Sequence, residues 1–211
     1  MRKNTRRTRI FKVALLSIFL AIEVIVCFVP FLGSIQIGPV VATLAMVPVI
    51  IIGCTTGPIA GGILGFFAGL FSFIWWTFVA PADPSSMLFT PWNNFTTEYI
   101  NYWPLVICFV PRILTGVIAG LCVMDLKRFI KSNIVVYAIS GVVGSFVNTF
   151  LVLFGTYFLW GRGYANLCGM EFATLLTVIF GIVGTNGLFE AAVSGVLGSA
   201  ISKSIDAINK K

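Results

Sequence analysis

The sequence predicts an all-α integral membrane protein, a compact bundle of six transmembrane helices with both termini cytoplasmic. Three observations carry that expectation. Of the 211 residues, 58% are hydrophobic and 10% charged, with a mean hydropathy of +1.02, which is more apolar surface than a globule of this length can hide. The apolar stretches reach the roughly 20 residues that a spanning helix needs, and they leave little chain for an extramembrane domain. The net charge of +7 is gathered in three clusters beside those stretches. Arg2, Lys3, Arg6, Arg7, Arg9 and Lys12 precede the first, Lys127, Arg128 and Lys131 follow the fourth, and Lys203, Lys210 and Lys211 close the chain. Under the positive-inside rule all three belong in the cytoplasm, which requires an even number of spans. Basic clusters placed this way report topology rather than a nucleic-acid footprint, and no nucleic-acid partner is expected.

The expected spans are residues 10–29, 37–52, 58–79, 104–124, 134–160 and 172–201, forming one transmembrane domain with a single long outer loop at 80–103. The first follows a basic start but lacks a small-x-small cleavage pattern, so it reads as a retained helix rather than a signal peptide. Ala14, Ser17 and Ala21 give it a small-residue face able to receive a partner helix. Glu23 lies toward its outer end, where a carboxylate costs a few kcal/mol unless paired or hydrated. Pro39 and Pro48 interrupt the second span and free carbonyls at membrane depth, either lining a cavity or simply kinking the helix.

Gly53, Gly57, Gly61, Gly65 and Gly69 recur every fourth residue and on a helix would form a bare stripe for close packing. The outer loop that follows is rich in aromatic and amide groups. Trp92, Asn93 and Asn94 read equally as part of a lid presented to a ligand or, with Tyr99, Tyr102 and Trp103, as an interfacial aromatic belt. A short outer loop at 31–36 ends in Gln36.

The fourth span places Arg112 well inside the apolar region, too far from either end to snorkel. It therefore needs a carboxylate from another helix, such as Glu190, or a ligand carboxylate held in bidentate fashion. Asn148 in the fifth span and Asn186 and Glu190 in the sixth complete the intramembrane polar set, the last two sharing a face at i, i+4 spacing. Gly116 and Gly120 give the fourth span its own close-packing face.

With no histidine and no GxxxxGK[ST] loop, the usual Ser-His, Cys-His and zinc-protease sites and a P-loop ATPase are excluded, so no catalytic residue and no metal site is expected. The five cysteines form no CxxC and mostly lie in apolar runs, as packing residues do.

The segments IGPVVATLAMVPVIIIG, TGPIAGGILGFFAGLFS, VPRILTGVIAG and TNGLFEAAVSGVLG, in this order across nearly the whole chain, resemble the substrate-binding S components of energy-coupling factor (ECF) vitamin transporters. The resemblance implies a six-helix bundle of the bacterial plasma membrane whose outward pocket is capped by the loops at 31–36 and 80–103. It further implies a transmembrane coupling protein and two ATP-binding subunits as partners, with ATP used by those subunits and no cofactor bound by this chain.

In the family an AxxxA face of the first helix meets the coupling protein; here Ser17 stands for the first Ala and Ala21 for the second. The second and third spans are most similar to the pantothenate branch, where Arg112 would hold the vitamin carboxylate. The family pattern often has a His near Met46, which this chain lacks, and S components for riboflavin, cobalamin, folate or another precursor share the scaffold. Two other classes compete: an ion-coupled secondary transporter working through Glu23 or Glu190, and an assembly protein using its glycine faces for packing alone. The expected ligand-contacting set is Gln36, Trp92, Asn93, Asn94, Arg112, Asn148, Asn186 and Glu190, with Ala14, Ser17 and Ala21 as the partner face.

Overall fold

The computed structural model describes residues 2–29, 34–37, 40–81, 86, 88–92, 102–167 and 169–209, with the backbone alone at 2–8, 34–37, 40–43, 167, 182 and 209. It is a bundle of helices. Helix α1 is Arg2–Phe28, basic in its first turns and apolar thereafter. The chain then forms a small antiparallel hairpin, β1 (Ser34–Ile37) with β2 (Val40–Thr43), in which Ile37 faces Val40 and Ser34 faces Thr43.

This hairpin corrects the expectation of a spanning helix over 37–52. Ile35, Ile37, Val40, Val41 and Thr43 are β-branched and flank Gly38-Pro39, and a proline there can neither donate to a helical ladder nor follow a helical residue comfortably. The helix begins only at Met46. α2 (Met46–Thr56) tolerates Pro48 in its first turn, where the backbone N–H has no helical partner anyway. At 11 residues it rises about 16 Å, about half of the roughly 30 Å hydrocarbon core. Val49, Ile50, Ile51 and Ile52 are fully buried, so this short helix is the centre of the bundle rather than a lipid-facing span.

Gly57, at φ 117°, makes the turn into α3 (Pro58–Ile74), whose first residue is a proline. A π-helical turn, Trp75–Val79, extends α3. The glycine stripe is therefore split between two helices and a turn; Gly53, Gly61, Gly65 and Gly69 still converge on one partner, while Gly57 faces open space. α4 (Trp103–Leu126) runs antiparallel to α3, with Gly61 against Gly116, Gly65 against the Arg112 carbonyl and Gly69 against Cys108. A β-carbon at Gly61, Gly65 or Gly116 would collide with backbone across this seam. The thiol of Cys108 donates to the Gly69 carbonyl at 3.3 Å along the same line.

α5 (Asn133–Leu167) packs on α4 and on α7 (Leu188–Asn209), and α6 (Phe172–Ile182) joins α7 through a second π-helical turn, Val183–Gly187. Five stretches are long and apolar enough to cross a membrane among the described residues: Arg9–Phe28, Pro58–Val79, Trp103–Leu126, Asn133–Asn166 and Phe172–Ile208.

One end of the bundle is tied by polar contacts. Lys12 donates to the Thr56 carbonyl at 3.0 Å, beside the Gly57–Pro58 turn that packs on Gly120. Beyond Gly120, Lys127 lies 4.0 Å from the Asp206 carboxylate and donates to the Tyr137 hydroxyl at 3.1 Å. Tyr137 in turn donates to Asp206, as does Asn133 at 3.4 Å. The basic start of α1 and the end of α7 thus lie at the same end of the molecule.

Candidate functional site

The site is built on a local consequence of proline. Pro111 inside α4 lacks the N–H that would bond the Ile107 carbonyl, and that freed carbonyl accepts Nη1 of the next residue, Arg112, at 3.3 Å. The same Nη1 donates to the Cys108 carbonyl at 2.7 Å. The guanidinium is therefore bent back along its own helix toward the end opposite Lys127 and Asp206, and the side chain is only 7% exposed. Phe89, from the described part of the outer loop, lies over it at 4.7 Å and stacks on Trp76. Arg112 Nε has no hydrogen-bond partner among the described residues.

Among the described residues no carboxylate oxygen lies within 4.0 Å of Arg112, so the expected pair with Glu190 is not formed there. Glu190 instead accepts from the Thr149 hydroxyl at 3.3 Å, a bond that ties α7 to α5. The carboxyl group at the depth of the guanidinium is Glu23 of α1, since Phe28, five residues further on, meets Phe71 and Trp75 while Gly69 meets Cys108. Glu23 is 0% exposed; its Oε1 accepts the Cys27 thiol at 3.4 Å and its Oε2 has no partner. Sequence reasoning counted Glu23 among the intramembrane polar groups but left it outside the ligand set, because its depth showed without its neighbours.

The other expected residues fall at the same depth on neighbouring helices. α5 meets α4 with Gly144 at Ala119 and Gly155 at Ile107, so the backbone of Arg112 lies opposite Phe150, within a turn of Asn148 and Thr149, and its guanidinium reaches further toward the Gly155 level. Asn148 is buried, and its Oδ1 has no partner. Thr149 also packs against Gly187 of the π-helical turn that carries buried Asn186. Such turns insert one residue into a helix and are frequent at functional positions. Strand β2 packs on this turn and on α7, so the hairpin covers the Asn186 side. Gln36 belongs to β1, opposite Val41, and its side chain lies outside the described residues, as do Asn93 and Asn94 entirely.

Trp92 rests against Phe73 at 6.2 Å and is 57% exposed, so among the described loop residues it is Phe89, and not Trp92, that lies over Arg112. No motif marked Phe89, one of twenty phenylalanines in the chain. An open groove of about 320 Å³ lies elsewhere, between Tyr157, Trp160, Arg162 and Phe172 near the end of α5, and holds none of the expected ligand residues. Ala14, Ser17 and Ala21 are all exposed on α1, on the face opposite buried Phe19 and Glu23.

The chemistry gathered here is a cation at Arg112, side-chain amides at Asn148 and Asn186, and an aromatic ring at Phe89. No group of three or more metal-ligating side chains occurs among the described residues. Residues 11–202 match the family described as the substrate-specific component of the ECF transporter. The chain is 32% identical over 204 residues to the pantothenic acid transporter PanT of Lactococcus lactis subsp. cremoris, covering 93% of this chain and 94% of that protein. It is 27% identical over 192 residues to the pantothenate transporter PanT of Leuconostoc mesenteroides subsp. mesenteroides, covering 87% and 86%. With a match over this length and a relative this similar, the chain belongs to the family of substrate-specific components of ECF transporters.

Proposed function

We propose that this chain captures pantothenate outside the cell and delivers it inward as the non-catalytic binding subunit of a bacterial plasma-membrane importer. The observation that carries the reading is the near full-length similarity to two proteins named as pantothenate transporters. The site supports it physically. Pantothenate is a small chain with a carboxylate at one end, an amide in the middle and two hydroxyls at the other, and the buried Arg112 suits the carboxylate.

A transmembrane coupling protein and two ATP-binding subunits supply the energy, and the exposed Ala14, Ser17 and Ala21 face of α1 docks the coupling protein. The end of the bundle carrying Lys12, Lys127 and Asp206 faces the cytoplasm, in keeping with its basic clusters.

Native mass spectrometry of gently purified protein, followed by thermal-shift titration with pantothenate, riboflavin, folate and cobalamin, tests the reading. A ligand stabilises the folded state in proportion to its occupancy. Pantothenate alone should shift the transition; a shift with another of these vitamins and none with pantothenate would replace the substrate. The docking face is tested separately. Ala21→Leu should leave pantothenate binding intact while preventing co-purification of the coupling protein, and recovery of the intact complex would remove that face from the interface.

A further inference from the structure

Glu23 is costly where it stands. It is fully buried, and among the described residues one carboxyl oxygen receives a thiol and the other receives nothing. Phe28 of α1 meets Phe71 and Trp75 of α3, and Gly69 of α3 meets Cys108 of α4, which sets Glu23 level with the guanidinium of Arg112, itself buried and with no partner on Nε among the described residues. Opposite charges buried near one another ordinarily close into a hydrogen-bonded pair, because an unapposed pair bears the desolvation penalty without the full attraction.

Here packing keeps them apart. The guanidinium is anchored on the Ile107 and Cys108 carbonyls and covered by Phe89. Glu23 is fixed on the buried face of α1 beside Phe19, one turn earlier. Two groups held short of contact, each with an unfilled hydrogen-bonding position, fit a third molecule between them that presents an anion to one and a donor to the other.

We infer that Glu23 is a substrate-contacting, specificity-determining residue. Its Oε2 accepts a hydrogen bond from a hydroxyl or amide N–H of the molecule whose carboxylate Arg112 holds. The inference rests on the pantothenate reading and adds to it the group that selects for a donor beside the anion. A ligand with an acceptor or a second anion at that position leaves Oε2 unsatisfied and is rejected, since a buried polar site discriminates strongly against partners that cannot complete its bonds.

The test is isothermal titration of detergent-purified wild type, Glu23→Gln and Glu23→Asp with pantothenate and with pantothenol, in which a hydroxymethyl group replaces the carboxylate. Asp keeps the acid and withdraws it by one methylene; Gln keeps the shape and removes the charge. Both variants should bind both ligands about tenfold or more weakly, by a similar factor for each, because the lost contact is not to the carboxylate.

An acid that merely balances Arg112 gives the opposite pattern, and that pattern overturns the inference: Asp at wild-type affinity, and Gln binding pantothenate more tightly with pantothenol unchanged. An arm on the wild type covers the case in which a variant does not fold. Pantothenate methylated at one hydroxyl, at the other, or at the amide nitrogen should lose about tenfold or more for at least one of the three, and full affinity for all overturns the contact. Wild type that binds no pantothenate overturns this inference together with the reading beneath it. Wild-type binding with unaltered variants overturns the inference alone.

Discussion

The molecule contains two polar clusters, one at each end of α4, and they are finished differently. At one end Lys127, Tyr137, Asn133 and Asp206 satisfy one another across α4, α5 and α7. Toward the other end, Arg112, Glu23 and Asn148 are all buried, yet each keeps an atom without a hydrogen-bond partner among the described residues. A completed network of this kind locks helices together and has no capacity left for a ligand. An incomplete one costs stability in the empty protein, and that cost is recovered only when something binds. The two ends differ in buried charge more than in open positions, since the hydroxyls of Thr56, Ser140 and Ser202 toward the first end also lack partners among the described residues; the proposed recognition rests on the incompletely bonded charged groups Arg112 and Glu23.

Substitutions break this comparison in graded ways. The largest effect belongs to Gly65→Leu, because the side chain would drive into the Arg112 carbonyl and displace the helix that carries the site. Overpacking against backbone should cost about 2 kcal/mol or more, and both stability to denaturant and pantothenate affinity should fall together. A variant of unchanged stability would mean that the α3–α4 seam is looser than its geometry.

Next comes Asp206→Ala, which strips Tyr137, Asn133 and Lys127 of their shared acceptor. Because the pair is partly exposed, a loss of about 1 kcal/mol is expected, with pantothenate affinity unaltered. A fall in affinity matching the fall in stability would merge the two clusters into one. The smallest is Phe89→Ala. Removing a ring from over a desolvated guanidinium costs about 1 kcal/mol, or roughly fivefold in Kd, with no change in the folded state's resistance to denaturant. Trp92→Ala, lacking that contact, serves as the control and should bind as wild type does.

Much of this architecture can be read from the residues, and the exceptions have physical causes. Composition and charge clusters gave the helical membrane bundle, and the spacing of Gly61, Gly65, Gly116 and Gly120 marked the faces that meet in the α3–α4 seam. The hairpin did not show. A short apolar run such as VVATLAMVPVIIIG fits a buried helix as well as a strand, and only tertiary placement over the Asn186 turn decides between them.

Depth in an apolar run made Arg112, Asn148 and Asn186 visible as candidates, because a polar group there needs a reason. Partnership did not follow from depth. Glu190 looked like the counterion of Arg112 on charge alone, whereas the fold bonds it to Thr149 and sets Glu23 of α1 level with the guanidinium. Phe89 was illegible for the opposite reason: an aromatic residue among many carries no signal until a loop folds it onto a cation.

The central claim is that Arg112 holds a substrate carboxylate, and the most direct measurement is a four-way titration of wild type and Arg112→Ala with pantothenate and pantothenol. Each hydrogen bond to a charged group contributes about 1.5–3 kcal/mol, so wild type should favour pantothenate by roughly a hundredfold. Arg112→Ala should lose that preference while still binding pantothenol at the wild-type level within a few-fold. A folded Arg112→Ala protein that keeps the full preference for pantothenate would contradict the account and return Arg112 to a purely structural role.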